Sequence, residues 1–149
     1  MFINFRGEDT RTKFVSHLHS ALSNAGVNTF FDEASLVKGM QLQELMRAVE
    51  GSQIAIVVFS QTYAESTWCL DELEQIIKCH QTQGQIVYVV FYDIDPSKVR
   101  HQKGDFGKSL EEAAKRSYSG EQLEQALARW KRALHKASGF IGWDARNFR

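Results

Sequence analysis

The feature that most limits how this chain can fold is a regular alternation. Short runs of β-branched and aromatic residues take turns with longer stretches whose apolar residues recur every three or four positions. Phe2-Ile3-Asn4-Phe5, Asn28 to Phe31, Ile54 to Phe59, Ile86 to Tyr92 and Phe140 to Asp144 read as five strands. Phe14, Leu18, Ala21, Leu22 and Ala25 mark a first helix with these residues buried, and Gly26 ends it as a C′ residue. Leu42, Leu45, Met46 and Val49 mark a short second helix stopped at Gly51, while Leu70, Leu73, Ile76 and Ile77 stripe a longer one between Tyr63 and Gln81. Phe106 to Ala114 and Leu123 to Leu134 are two further helical pieces hinged near Ser119-Gly120, and the single proline, Pro96, falls in the loop before them. Strands that alternate with helices pair in parallel through right-handed crossovers. The expected fold class is therefore α/β: a flavodoxin-like parallel sheet of about five strands with helices on both faces.

Size and charge fit that reading. A chain of 149 residues suits one domain spanning 1–149, and it buries roughly two thirds of its unfolded surface without metal or disulfide staples. Lysine and arginine number 18, and so do aspartate and glutamate, leaving a net charge of zero. Coating nucleic acid or hugging a membrane needs an excess of basic side chains, so neither is the expected role. Cys69 and Cys79 stand ten positions apart on one predicted helix. That spans about 15 Å, well beyond the ~7 Å Cα limit for a disulfide, so both are expected as free thiols. The longest apolar run, Ile54 to Phe59, is far short of the roughly 20 residues that cross a bilayer. Strand-like sequence directly after Met1 leaves no room for a signal peptide, and the expected location is cytoplasmic or nuclear.

Sheets of this kind take ligands beyond the carboxyl ends of their strands, which points to the loops Arg6-Thr10, Asp32-Met40 and Ser60-Trp68. Those loops exclude several chemistries. No GxGxxG follows the first strand, and no P-loop lysine exists. A phosphorelay carboxylate is missing from the end of the third strand, where Ser60 stands. His17 and His19, two positions apart on a helix, point in opposing directions and cannot share a metal; no metal or cofactor is expected.

What the loops do contain resembles a family. Phe2-Ile3-Asn4-Phe5-Arg6-Gly7-Glu8-Asp9-Thr10-Arg11 resembles the opening signature of plant Toll/interleukin-1 receptor (TIR) domains, and Ser16-His17-Leu18 matches the family's Ser-His pair. Phe30-Phe31-Asp32 with Leu36-Val37-Lys38-Gly39, the stretch Phe59 to Leu73 around Trp68-Cys69-Leu70-Asp71-Glu72, Phe91 to Arg100, and Gly142-Trp143 follow in the family's order. Two departures stand out: Asn4 replaces the usual serine, and the sequence ends at Arg149 where the family continues into a final helix.

The resemblance implies an NAD⁺ nucleosidase signalling domain of plant innate immunity, with NAD⁺ or NADP⁺ as substrate and Glu72 as catalytic carboxylate. It also implies substrate contacts at Arg6, Gly7, Phe31, Asp32, Lys38, Trp68 and Cys69. Homotypic TIR–TIR association, and association with other TIR domains, would run through Ser16 and His17 and through Lys38-Gly39. A non-catalytic adaptor is the rival reading, and nucleic-acid cleavage involving Cys69 a lesser one given the neutral charge. Trp68 and Glu72, four residues apart, are expected on one helical face near the helix start, with Glu72 partly exposed and favoured as an anion by the helix dipole. Taken singly the same residues have plainer readings: a solvated glutamate, a core tryptophan, a surface arginine and a Lys-Gly turn.

Overall fold

A computed structural model of the chain describes residues 2–6, 16–26, 30–32, 53–140 and 142–144. Five strands lie among them: β1 (Phe2–Asn4), β2 (Phe30–Asp32), β3 (Ile54–Phe59), β4 (Ile86–Phe91) and β5 (Gly142–Asp144). The helices are α1 (Ser16–Asn24), α2 (Thr67–Gln83), α3 (Pro96–Arg100), α4 (Gly104–Ser117) and α5 (Gly120–Ala137), with a 3₁₀ turn at Tyr63–Glu65. The strands form one sheet in the order β2-β1-β3-β4-β5, every pair parallel. From β1 the chain steps outward to β2 and then returns to β3 on the other side of β1. The strand order thus reverses between β1 and β3, and ligands bind such sheets at that switch point.

The pleat sorts the side chains. Phe2, Ala55, Val57, Phe59, Val87, Val89 and Phe91 face one layer, where they pack against Leu70, Leu73 and Ile76 of α2, Phe106 and Leu110 of α4, and Trp130 and Leu134 of α5. Ile3, Ile56, Val58 and Val90 are also buried and alternate onto the opposite face, as expected for parallel strands covered on both sides. Ile86 and Tyr88 share that second face and stay 50% and 44% exposed.

Helix ends follow local chemistry. The Ser66 hydroxyl caps α2 by accepting from the Cys69 N–H at 3.2 Å. Gly84, left-handed at φ 71°, ends it by donating back to the Cys79 carbonyl. Gly26, at φ 82°, follows α1 as the sequence implied. The segment from Tyr63 is not one continuous helix: it makes a 3₁₀ turn, extends at Ser66, and restarts at Thr67. Pro96 does not sit in a loop but opens α3, because proline's fixed φ suits the first helical position and Asp95 accepts from the Ser97 N–H at 2.9 Å. Of the stripe expected to be buried along the first helix, Ala21 and Ala25 are exposed, and the side chains of Phe14, Leu18 and Leu22 lie outside those described. Alanine has too little apolar surface to dictate which way a short helix faces. The predicted helix around Leu42 to Val49 lies outside the described residues.

Candidate active site

Three chain segments meet at the switch point. β1 ends at Asn4, the 3₁₀ turn follows β3, and the first turns of α2 lie against both. Asn4, on the strand face that also carries Phe2, reaches α2: its Nδ2 donates to Glu72 Oε1 at 2.7 Å and, more weakly, to the Cys69 carbonyl at 3.4 Å. The Tyr63 hydroxyl donates to Asn4 Oδ1 and lies 3.1 Å from the Cys69 carbonyl. The Cys69 thiol donates to the Phe5 carbonyl at 3.3 Å, and the Ser60 hydroxyl to the Arg6 carbonyl at 3.4 Å. These bonds stitch segments some 60 residues apart in sequence into one polar knot set within an apolar core.

Glu72 is fully buried, not partly exposed as expected. The physical reason is its phase. It stands three residues after Cys69 and four before Ile76, both buried, so helical geometry turns it inward. It is also the sixth residue of α2, beyond the first turn where the helix dipole is felt. Tyr63 shares the burial. Desolvation, reinforced by the neighbouring Cys69 and Glu72, pushes its phenol well above the ordinary range despite the Asn4 hydrogen bond. The phenol stays protonated and remains a donor.

The other expected site residues divide. Arg6 follows β1 and is half-buried beside Ser60. Trp68 is half-buried and packs on the core cluster one helical turn before Glu72. Cys69 is buried, and its thiol is hydrogen-bonded inside the fold. Phe31 and Asp32 lie on β2 with their backbone in register with Ile3 and Asn4, which brings Asp32 alongside the site strand. Ser16 and His17 are both exposed at the start of α1. Gly7, Lys38 and Gly39 lie outside the described residues. Two residues of the knot, Asn4 and Tyr63, were not among the expected site residues. Asn4 carried a signal, a polar residue inside an apolar strand. Tyr63 carried little, because a tyrosine three residues after a strand reads as ordinary core.

Beyond the ends of β3 and β4 opens a cavity of about 420 Å³ whose lining includes Gln61, Asp93, Asp95, Lys98 and Asp105. The Gln61 amide donates across it to the Asp93 carbonyl at 3.0 Å. Three acids against one lysine make this lining repel anions.

An open parallel sheet in this order, with a buried carboxylate at its switch point, defines an α/β domain of the flavodoxin-like class. The family model described as TIR domain matches residues 1–149, and the chain belongs to the TIR domain family. It is 44% identical over 148 residues to the disease resistance protein TAO1 of Arabidopsis thaliana, covering 99% of this chain and 12% of that protein. It is 45% identical over 143 residues to the TMV resistance protein N of Nicotiana glutinosa, covering 95% of this chain and 12% of that one. The chain thus spans about an eighth of the length of these relatives. The TIR domains in the structure of the activated Roq1 resistosome, which directly recognises the pathogen effector XopQ, superpose with a TM-score of 0.84 at 42% identity, covering 99% of this chain and 87% of that one. Among the described residues no helix is long and apolar enough to cross a membrane.

Proposed function

We propose that this chain is the NAD⁺-cleaving signalling domain of a plant immune receptor, acting in the cytoplasm or nucleus and active when self-associated. The observation that carries the reading is Glu72: a carboxylate held at the switch point by Asn4, in a sheet class that binds ligands there. In NAD⁺ the bond from the ribose C1′ to the nicotinamide nitrogen breaks with both electrons going to nitrogen, and neutral nicotinamide leaves without a general acid. The ribose becomes oxocarbenium-like, as in glycoside hydrolysis, and a carboxylate beside it stabilises that charge. Water then adds to C1′ and releases a proton, giving ADP-ribose. Arg6 suits the pyrophosphate, whereas the acidic cavity past β4 repels it. NADP⁺ fits the same chemistry.

Burial of Glu72 supports dependence on assembly. In the single chain the carboxylate has no exposed surface, so an event that uncovers it must precede catalysis. The outward face of α1 carries Ser16, His17, Ser20, Ala21 and Asn24, all exposed and mostly small, which permits close approach of a second helix. That same face favours the rival reading, an adaptor that scaffolds partners without turnover. Nicotinamide release by concentrated protein, wild type beside Glu72→Gln, separates them. Release that disappears in the variant supports the enzyme; no release from wild type at any concentration supports the adaptor.

A further inference from the structure

Asn4 is a polar side chain without exposed surface, on a strand whose neighbours Phe2, Ile3 and Phe5 are all buried and apolar. A carboxamide in such a place is costly unless its donors and acceptor are used. Here they are used in one sense only. Both amide hydrogens face acceptors, the Glu72 carboxylate and the Cys69 carbonyl, while the amide oxygen accepts from Tyr63. Turning the amide over would set its oxygen against the Glu72 carboxylate and the Cys69 carbonyl, neither of which donates to it, and would give up the hydrogen bond from Tyr63. The Tyr63 turn is itself anchored. Its backbone bonds back to Ser60, the Arg116 guanidinium donates to the Glu65 carbonyl at 2.9 Å, and the Tyr63 ring packs edge-on against Phe59. The chain Phe59–Tyr63–Asn4–Glu72 is therefore a set of fixed groups ending on one carboxylate oxygen.

We infer that Asn4 is the positioning residue of the Glu72 carboxylate, with Tyr63 setting the sense of its amide. This rests on Glu72 being the group that meets the ribose. Asn4 touches no substrate in this scheme. It holds Oε1 in place and, by donating to it, favours the ionised form. Among the described side chains, the titratable groups gathered at this point are Tyr63 from the turn and Cys69 and Glu72 from α2; Asp71 and Glu74 engage Trp130 and Arg129 on α5 instead.

Two variants test the assignment. Asn4→Asp has the same shape and keeps an acceptor for Tyr63, but replaces the donor facing Glu72 by an oxygen. Tyr63→Phe removes only the hydroxyl that orients the amide. Each is measured by kcat and KM for NAD⁺ across pH and by ¹³C titration of the Glu72 carboxyl, a signal assigned by its loss in Glu72→Gln. For Asn4→Asp, kcat per folded molecule is expected to fall at least about tenfold with KM within about twofold, because an interaction expressed in the transition state is lost and binding is not. The acid limb of the rate profile and the Glu72 titration should both move to higher pH, since two adjacent carboxyls resist sharing ionisation. Tyr63→Phe should lower kcat less, again at constant KM. Should Asn4→Asp fail to fold, Tyr63→Phe carries the same readouts. Wild-type kcat and an unmoved Glu72 titration in the folded variants would overturn the assignment and leave Asn4 as a core polar residue. If wild type cleaves no NAD⁺, the enzymatic reading fails by itself, and the titration still decides whether Asn4 governs the carboxylate.

Discussion

Replacing Glu72 by glutamine should make the protein more stable and nearly inactive at once. The carboxylate is fully buried, and its Oε1 accepts from Asn4 at 2.7 Å. Glutamine keeps a carbonyl oxygen at that point, so the hydrogen bond survives as a neutral one. Losing the charge assistance costs about 1 kcal/mol, the difference between charged and neutral hydrogen bonds. Against that, an ion removed from water carries a penalty of several kcal/mol, which the neutral side chain does not. The net is a gain of about 1–3 kcal/mol at neutral pH, or roughly 2–12 °C in melting temperature at about 2–4 °C per kcal/mol for a domain this size. The rate should fall by about 10²–10³, the usual loss when one preorganised electrostatic contact is removed. Differential scanning calorimetry at pH 7.5 beside a nicotinamide-release assay reads both quantities on one preparation. A melting temperature below wild type would refute the reasoning, because it would make the carboxylate a structural anchor and not a group held at a cost for chemistry.

Other outcomes follow from the same structure. Trp68→Ala removes a half-buried ring packed on the core, so it should destabilise by about 1.5–3 kcal/mol, less than the 3–5 of a fully buried tryptophan, as thermal melts will show. Asp71 accepts from the Trp130 indole at 3.3 Å, and burial raises its pKa against the opposing pull of Trp130 and Arg129. A raised acid binds its proton more tightly when folded, so its stabilisation is present below the unfolded carboxylate range and lost as pH rises through the raised value. Asp71→Asn keeps the acceptor for Trp130 and should flatten that decline in urea melts taken from pH 4 to 7; an unchanged slope would point to other groups. Specific NAD⁺-cleaving activity should climb across a hundredfold concentration series, and alanine at both Ser16 and His17 should flatten the climb with the circular dichroism spectrum intact. Constant specific activity in the wild type would mean that each monomer carries a finished site.

Much of this protein was legible in its sequence because the physics involved is local. The β-branched run Ile54 to Phe59 is apolar at every position, and only a strand covered on both faces uses such a run. Gly26 ends one helix and Gly120 begins another, each at a positive φ that glycine adopts without strain, a property of the single residue. Alternation of elements then dictated parallel pairing. What sequence could not show was how distant segments meet. Asn4 stands 59 positions before Tyr63 and 68 before Glu72, and nothing in its local pattern announces the other two. Glu72 in isolation reads as a solvated helix residue. Only the seating of α2 across β1 and the 3₁₀ turn converts its helical phase into burial, because a side chain's environment is set by what packs over it. The charge on that glutamate was written in the sequence; its withdrawal from water, and the amide that holds it there, were decided by the tertiary structure.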